Sequence, residues 1–506
     1  MADDDPLKSE EGLPQKHPKE RPSSFNNWIS FAGLVVALGS LFAFLLLFAI
    51  DSLTRHSNPY MGILTYIGSP AFLIFGLFLM GIGWIIHRRQ IARLDGDVSA
   101  LTVSLNLANP EDRRKFLIFS VSAILFMVLT ALGSYRTYHY TESVQFCGKV
   151  CHEVMEPEYT TYVQSPHARV ACVECHIGSG VNWYVKSKIS GLHQVYAVLA
   201  NDFDRPIDTP ISNLRPAQDT CEQCHWPQKF SGNIDRTYVH YLTDEENTPF
   251  FVRILLKIGG GDPTLGPVGG IHWHTNVENK VEYIATDHDR QEIPWVRVTD
   301  ADGVETVYKV DGFTPDEAGM ASIRRMDCID CHNRPAHVYT TPNDSIDTAI
   351  FLGRLDPKLV DLKFNTVDLL TADYASKEEA MTAIAAGLTD YYEDDPRLPR
   401  TIEEVQKIYA QNFFPRMKSS WKNYPENIGH KDWPGCFRCH DGKHVSADSK
   451  TTIPVTASDC KSCHVIIAQG STLESESIDI RGLEFEHPGD DTEGLLCSDC
   501  HNGAIQ

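Results

Sequence analysis

The sequence predicts a membrane-anchored chain: three transmembrane helices, then a mainly α and loop domain with a small β insertion, packed around covalently held cofactors. Three observations predict this class. Three long apolar stretches precede residue 135. All fourteen cysteines follow, in seven pairs, and the second cysteine of every pair is succeeded by histidine. The interval 237–310 is rich in Val, Ile, Tyr and Trp and carries Gly-Gly turns.

Residues 1–24 are polar and charged, with Pro6, Pro14, Pro18 and Pro22, and are expected to be a disordered cytoplasmic N-terminus without a cleavable signal. A three-helix anchor is expected over 25–135. Trp28–Ile50 and Met61–Ile86 are each long enough to cross a bilayer, and Phe116–Gly133 is shorter but sufficient. Charge sets the orientation. Lys8, Lys16, Lys19 and Arg21 precede the first span, and Arg88, Arg89, Arg93, Arg113, Arg114 and Lys115 lie between the second and third, against Arg55 alone between the first and second. The positive-inside rule puts the N-terminus in the cytoplasm and everything after about Ser134 outside the cytoplasmic membrane. His56 and His87 fall at opposite faces, so no histidine pair inside the membrane can sandwich a haem, and the spans read as anchor and quinone-site scaffold.

Six pairs read Cys-x-x-Cys-His: Cys172/Cys175/His176, Cys221/Cys224/His225, Cys328/Cys331/His332, Cys436/Cys439/His440, Cys460/Cys463/His464 and Cys497/Cys500/His501. The first, Cys147/Cys151/His152, has one residue more between its cysteines, which must bulge out to keep both sulfurs in reach of the porphyrin vinyl groups. The motif attaches c-type haem: two thioethers clamp the porphyrin and the adjacent imidazole takes the iron. Zinc ribbons and disulfide scaffolds also pair cysteines, but neither chemistry asks for a histidine after every second one. The predicted class is therefore a multihaem cytochrome c with seven covalent haem c groups, exported to the compartment that the positive-inside rule also selects.

The motifs divide the exported part. A four-motif domain is expected over 136–340, containing the β insertion. Within it, Pro294–Lys309 reads as a hairpin turning at Asp302-Gly303. A helical spacer follows over 341–424, with helical periodicity in Lys377–Tyr391 and in Thr401–Phe414, the latter opened by a Thr401-x-x-Glu404 capping pattern. The last three motifs crowd into 425–506, too short a stretch to form a core except around porphyrin, so haem burial is expected to be part of folding.

Thr141-Glu-Ser-Val-Gln-Phe-Cys147, Cys151-His152-Glu-Val-Met155, Ser165-Pro-His167 and Cys172-Val-Glu-Cys175-His176 together resemble the NapC/NirT/NrfH family of membrane-anchored quinol dehydrogenases. The likeness covers roughly Thr141–His225, with His332 as a fourth family haem; three spans and seven motifs exceed the family's usual one and four. It implies oxidation of menaquinol at the outer face of the cytoplasmic membrane, with electrons passed to periplasmic c-type cytochromes or reductases. It also implies that Met155 is a candidate ligand of the first haem and that Lys188, twelve residues after His176, lines the quinol pocket. The family's acidic pocket residue has no counterpart where it is expected, near Val195, and His193 is the nearest polar candidate, as distal ligand or proton acceptor.

Low-spin electron-transfer haems need a second axial ligand, and eleven exported histidines lie outside the motifs. His167 matches a family position. His337, His430, His444 and His487 lie near motifs whose irons need partners. His272 and His274 flank Trp273 and would point the same way on a strand, so one of them is expected to ligate. His139, His240 and His288 have the weakest case, and His139 and His288 read as surface residues. A net charge of −22 argues against nucleic acid and toward a basic or metal-bearing redox partner. Two other functions use the same motifs: an electron conduit bolted to a separate quinol-oxidising subunit, and a terminal reductase with one open iron. Three spans are also compatible with a homo-oligomer or a larger complex.

Overall fold

A computed structural model describes residues 27–53, 68–93, parts of 108–136, 139–178, 180–211, 215–260, 269–275, 279–446, 448, 450–456, 459–472, 478–489 and 495–504. The chain forms two compact units, 1–136 with 179–185 and 137–178 with 186–506.

The first unit contains α1 (Trp28–Leu53) and α2 (Ser69–Arg93). Within them Trp28–Leu47 and Ser69–Gln90 are long and apolar enough to cross a membrane. The helices run antiparallel: the Asn27 amide donates to Gly83 O (3.1 Å), Ser30 Oγ to Met80 O (3.2 Å), and Ser40 Oγ to Ser69 O. Gly33 and Gly76 let the backbones touch, since a Cβ on Gly33 would stand 2.6 Å from Gly76 O. Leu38, Phe42, Ile74 and Phe78 point outward, the apolar exterior that hydrocarbon tolerates. Two membrane-length helices are thus described, against three expected. Most of Phe116–Gly133, and His56, lie outside the described residues.

In the second unit, short helices carry the cysteine motifs: α3 (His152–Gln164) starts at the first motif's histidine, α4 (Cys172–His176) holds the second, α6 (Ala217–Cys221) ends in the third, and α7 (Cys328–Cys331) is the fourth. Between α4 and α6 runs α5 (Val181–Ala200), of which 186–200 belong to this unit. Strands β1 (Asn233–Tyr241) and β2 (Pro249–Lys257) form an antiparallel pair. Strands β3 (Lys280–Ile284), β4 (Trp295–Thr299) and β5 (Glu305–Lys309) form a meander. The expected hairpin is present: Gly303, at φ +80°, donates to Asp300 O, and Asp300 Oδ1 accepts from Asp302 and Val304.

The β insertion is not self-contained. With β6 (Arg324–Arg325), β7 (Val445–Ser446) and β8 (His464–Gly470), the sheets are ordered β1-β2-β8 and β6-β3-β4-β5-β7. Both end in a strand from the C-terminal three-motif segment, so backbone hydrogen bonds tie that segment to the four-motif region.

The stretch expected to be a spacer is the best-packed part of the unit. Helices α8 (Pro342–Phe351), α9 (Leu362–Thr371), α10 (Lys377–Tyr392) and α11 (Leu398–Asn412) enclose Ile346, Leu362, Val367, Ile384, Leu388 and Val405, all with no exposed surface. Local signals agree: Thr341 caps α8 with Pro342 at its first position, and the Ser376 hydroxyl accepts from Glu379 N–H at the start of α10. The second capping pattern is not used. Helix α11 begins earlier, at Leu398-Pro399; Thr401 Oγ1 donates back to Arg397 O, and Glu404 pairs with Arg354 and Lys407. Folding of this helical core draws on ordinary apolar burial. Dependence on haem therefore falls on the motif-rich segments around it.

Candidate functional site

Six of the seven motif histidines face a second imidazole. Ring centroids are 6.1 Å apart for His167–His225, 6.3 Å for His176–His337, 6.3 Å for His272–His332, 5.8 Å for His274–His440, 6.2 Å for His430–His464 and 6.0 Å for His487–His501. Van der Waals stacking would bring two rings closer, and a direct hydrogen bond would tilt them edge to edge. Two imidazoles on opposite sides of one metal, each at a bond length of about 2 Å, put their centroids roughly 6 Å apart. The pairs fit a sandwiched iron, and each contains one motif histidine. The side chain of His152 lies outside the described residues, so this fit covers the second to seventh motifs.

Second partners support the same geometry. Nδ1 lies 2.9 Å from Pro335 O in His167, 3.0 Å from Glu158 O in His337, 2.7 Å from Ile258 O in His272, 2.9 Å from Ile271 O in His274 and 2.8 Å from Val455 O in His440. A ring N–H donated to a carbonyl fixes the tautomer and leaves the Nε2 lone pair for a metal. His487 differs, its Nδ1 accepting the Gly489 N–H at 3.1 Å. Burial lowers the pKa of His274, His337, His430, His440 and His464, and brings that of His501 down to about 4. Each is neutral at pH 7, the form that binds metal.

The motif cysteines fall into two environments. Nine are half-buried, whereas Cys175, Cys224, Cys436, Cys460 and Cys500 are exposed. Cys224 sits in the turn beyond the end of α6, and Cys500 is the last residue of the one-turn helix Cys497–Cys500, so each lies at a helix end on the surface. A thiol that joins a porphyrin edge has to be open on one side, because a reactive cysteine needs access. The exposure of these five cysteines therefore suits attachment.

The histidine candidates sort by their partners. His167, His272, His274, His337, His430 and His487 each stand opposite a motif histidine. Both His272 and His274 do so, with different partners, because Ile271–Thr275 is a 3-10 helix and not the expected strand. His444 does not join them. It is buried, its Nδ1 lies 2.8 Å from Asp441 Oδ1 and its Nε2 2.6 Å from Ile293 O, so both nitrogens are occupied in holding the sheet edge. His288 pairs with Asp208 at the surface. His240 lies with Asp344 and Asp347 in a potential cation cluster. Lys363 stands 2.7 Å from Asp347 and Lys431 2.8 Å from Asp344, which balances that charge internally. Met155 is half-buried on α3, one turn beyond His152.

Near the first motif, Lys188 on α5 forms an ion pair with Glu142, a residue that sequence reasoning missed. Glu142 is 7% exposed, and its Oε2 is buried without a hydrogen-bond partner among the described residues. The pair borders Cys147, whose thiol is pushed up by contact with the Cys172 thiol, by burial and by the Glu142 charge, and down by Lys188. The acidic partner of Lys188 thus comes from upstream of the first motif. His193 is exposed and five residues from Lys188, well around the helix from it.

Other supporting residues were also invisible in the sequence. Glu158 gathers His337, Arg334 and the Tyr339 hydroxyl. Asp330, inside the fourth motif and 3% exposed, accepts from Tyr283 Oη (2.6 Å), Arg324 Nε (2.9 Å), Arg290 Nη1 (3.3 Å) and Asp327 N (2.8 Å).

Residues 109–210 match the family model described as the NapC/NirT cytochrome c family, N-terminal region. Over 493 residues the chain is 43% identical to cytochrome c-type protein ImcH of Geobacter sulfurreducens, covering 94% of this chain and 95% of that protein. It is 30% identical over 122 residues to cytochrome c-type protein NrfH of Wolinella succinogenes, covering 22% of this chain and 68% of that one. No solved structure matches. The spacing of the histidine pairs, the family match at the first motifs and the near full-length likeness to an ImcH protein lead to one conclusion: this chain belongs to the NapC/NirT family of membrane-anchored c-type cytochromes, with ImcH among its relatives.

Proposed function

We propose that the chain is a heptahaem quinol dehydrogenase of the bacterial cytoplasmic membrane, with its N-terminus inside and its haem domain in the periplasm. It oxidises menaquinol at the outer face and passes electrons to periplasmic c-type cytochromes or reductases. The six histidine pairs carry this reading, because they place twelve imidazoles at metal-sandwich spacing in a chain with seven attachment motifs. Bound haem c supplies irons that accept one electron at a time.

The quinol side rests on Lys188 and Glu142. A quinol gives up protons as it gives up electrons, so its site needs a base within hydrogen-bond reach. Glu142 Oε2 is the free acceptor, while Lys188 holds Oε1 and balances the carboxylate charge. Lys188 shares one face of α5 with Leu192, Val195 and Leu199, which are 72%, 51% and 83% exposed. An exposed apolar face with a lysine in it suits a helix lying against acyl chains, where a quinol would arrive.

The test is reduction of the purified holoprotein in liposomes by a reduced menaquinol analogue, followed at the haem α-band. Glu142→Gln and Lys188→Leu, with full haem content, should slow reduction by about 10²-fold or more, the size of a lost acid–base group. His193→Leu should stay near wild type. Wild-type rates in Glu142→Gln and Lys188→Leu would remove these residues from the quinol site. Failure of the wild type to be reduced would favour the conduit reading.

A further inference from the structure

The last three motifs must exchange electrons with the first four for the chain to act as one wire, and one short segment stands at that crossing. The geometry points to Ile271–Thr275 as a bracket that gives sixth ligands to two irons at once, His272 to the fourth-motif haem and His274 to the fifth, and so sets their separation. The inference rests on the ligand reading above and goes beyond it in naming the joint.

The two rings are separated only by Trp273, yet they serve opposite sides of the crossing. His272 lies 6.3 Å from His332 with the planes 7° from parallel, and His274 lies 5.8 Å from His440 with the planes 79° apart. A 3-10 turn advances about 120° per residue, so residues two apart project in different directions, which a strand would not allow. The segment is clamped. His272 and His274 hold backbone carbonyls through Nδ1, and Trp273 packs with Cys439 of the fifth motif against Val281, Tyr283 and Val296 of the five-stranded sheet. At Gly260 a Cβ would stand 2.5 Å from Trp273 N, so the preceding strand end is pressed onto the turn.

A second contact spans the same two motifs independently. Arg438, between the cysteines of the fifth motif, donates to the carbonyl of Asp330, between the cysteines of the fourth, at 2.7 Å. Asn427 donates to the same carbonyl at 3.0 Å. The attachment loops are therefore hydrogen-bonded to one another, and the bracket fixes the opposite faces of the cofactors those loops would carry.

Full-length holoprotein carrying His272→Ala, His274→Ala or both tests this, with covalent haem counted by mass and spin state by EPR. Seven haems should remain. Each single variant should turn one haem high-spin, the double variant two, and added imidazole should restore the low-spin signals. His272→Met and His274→Met serve if the alanine proteins fail to assemble; each should show one sulfur-ligated haem, at two distinct potentials. Inserting one glycine after Trp273 should let a quinol analogue reduce only the first four haems quickly, while dithionite reduces all seven. A double variant that loses one low-spin haem, or single variants that lose none, would overturn the bracket. If the wild type takes no electrons from quinol but the spin counts hold, the bracket stands and the quinol site falls.

Discussion

Asp330 shows how much of this protein's order is carried by single buried polar groups. Its carboxylate is closed off from water and takes donors from Tyr283, Arg324, Arg290 and its own helix cap, while its carbonyl takes Arg438 and Asn427. Replacing it by alanine leaves buried cationic and hydroxyl groups unpaired, which costs about 3–5 kcal/mol for a broken buried pair. Chemical denaturation of Asp330→Ala holoprotein should show a loss of that size, and a change under about 1 kcal/mol would mean the site is solvated as a surface pair is. Residues of this kind are not legible in sequence. The motif cysteines and histidines are, because attachment chemistry is local and demands fixed spacing. Their depth in the fold is not: nine of the cysteines are half-buried and five exposed. The histidine partners are not legible either, because His167 meets His225 and His274 meets His440 only after the chain has folded. Glu142 is illegible for the same reason: the family pattern points downstream of Lys188, and tertiary packing delivers a carboxylate from upstream.

Elements divide the work between apolar burial and cofactor geometry. The α8–α11 helices pack a core of aliphatic side chains, so Leu388→Ala should cost about 2–5 kcal/mol while leaving seven haems attached. Loss of haem along with stability would show that this core and the haem sites fold as one. The Ile271–Thr275 turn behaves in the opposite way. At Gly260, φ is +127° and the space beside Trp273 N is closed, so Gly260→Ala strains the backbone and pushes on the turn. EPR should show changed signals from two haems with the other five unaltered; an unaltered spectrum would mean the turn yields without moving its histidines. Sequence patterns served well where one local rule governs, as in the Asp302-Gly303 hairpin and the helical periodicity of Lys377–Tyr391. They failed at α11, where Pro399 at a first-turn position outweighs the Thr401 pattern. They failed also at 271–275, where a strand reading hid the divergence of two histidines.

At the scale of the whole molecule, the second unit is one body in which both sheets are finished by strands from the last three-motif segment. That construction suits a wire, since cofactors held on a shared backbone frame keep their spacing as the surface moves. Its central claim is that the paired histidines are iron ligands. The most direct measurement is low-temperature EPR of the oxidised, full-length protein with covalent haem counted by mass. We predict seven haems, at least six of them low-spin with two imidazole ligands. Fewer than six such signals from fully loaded protein would contradict the pairing, and with it the path proposed for the electrons.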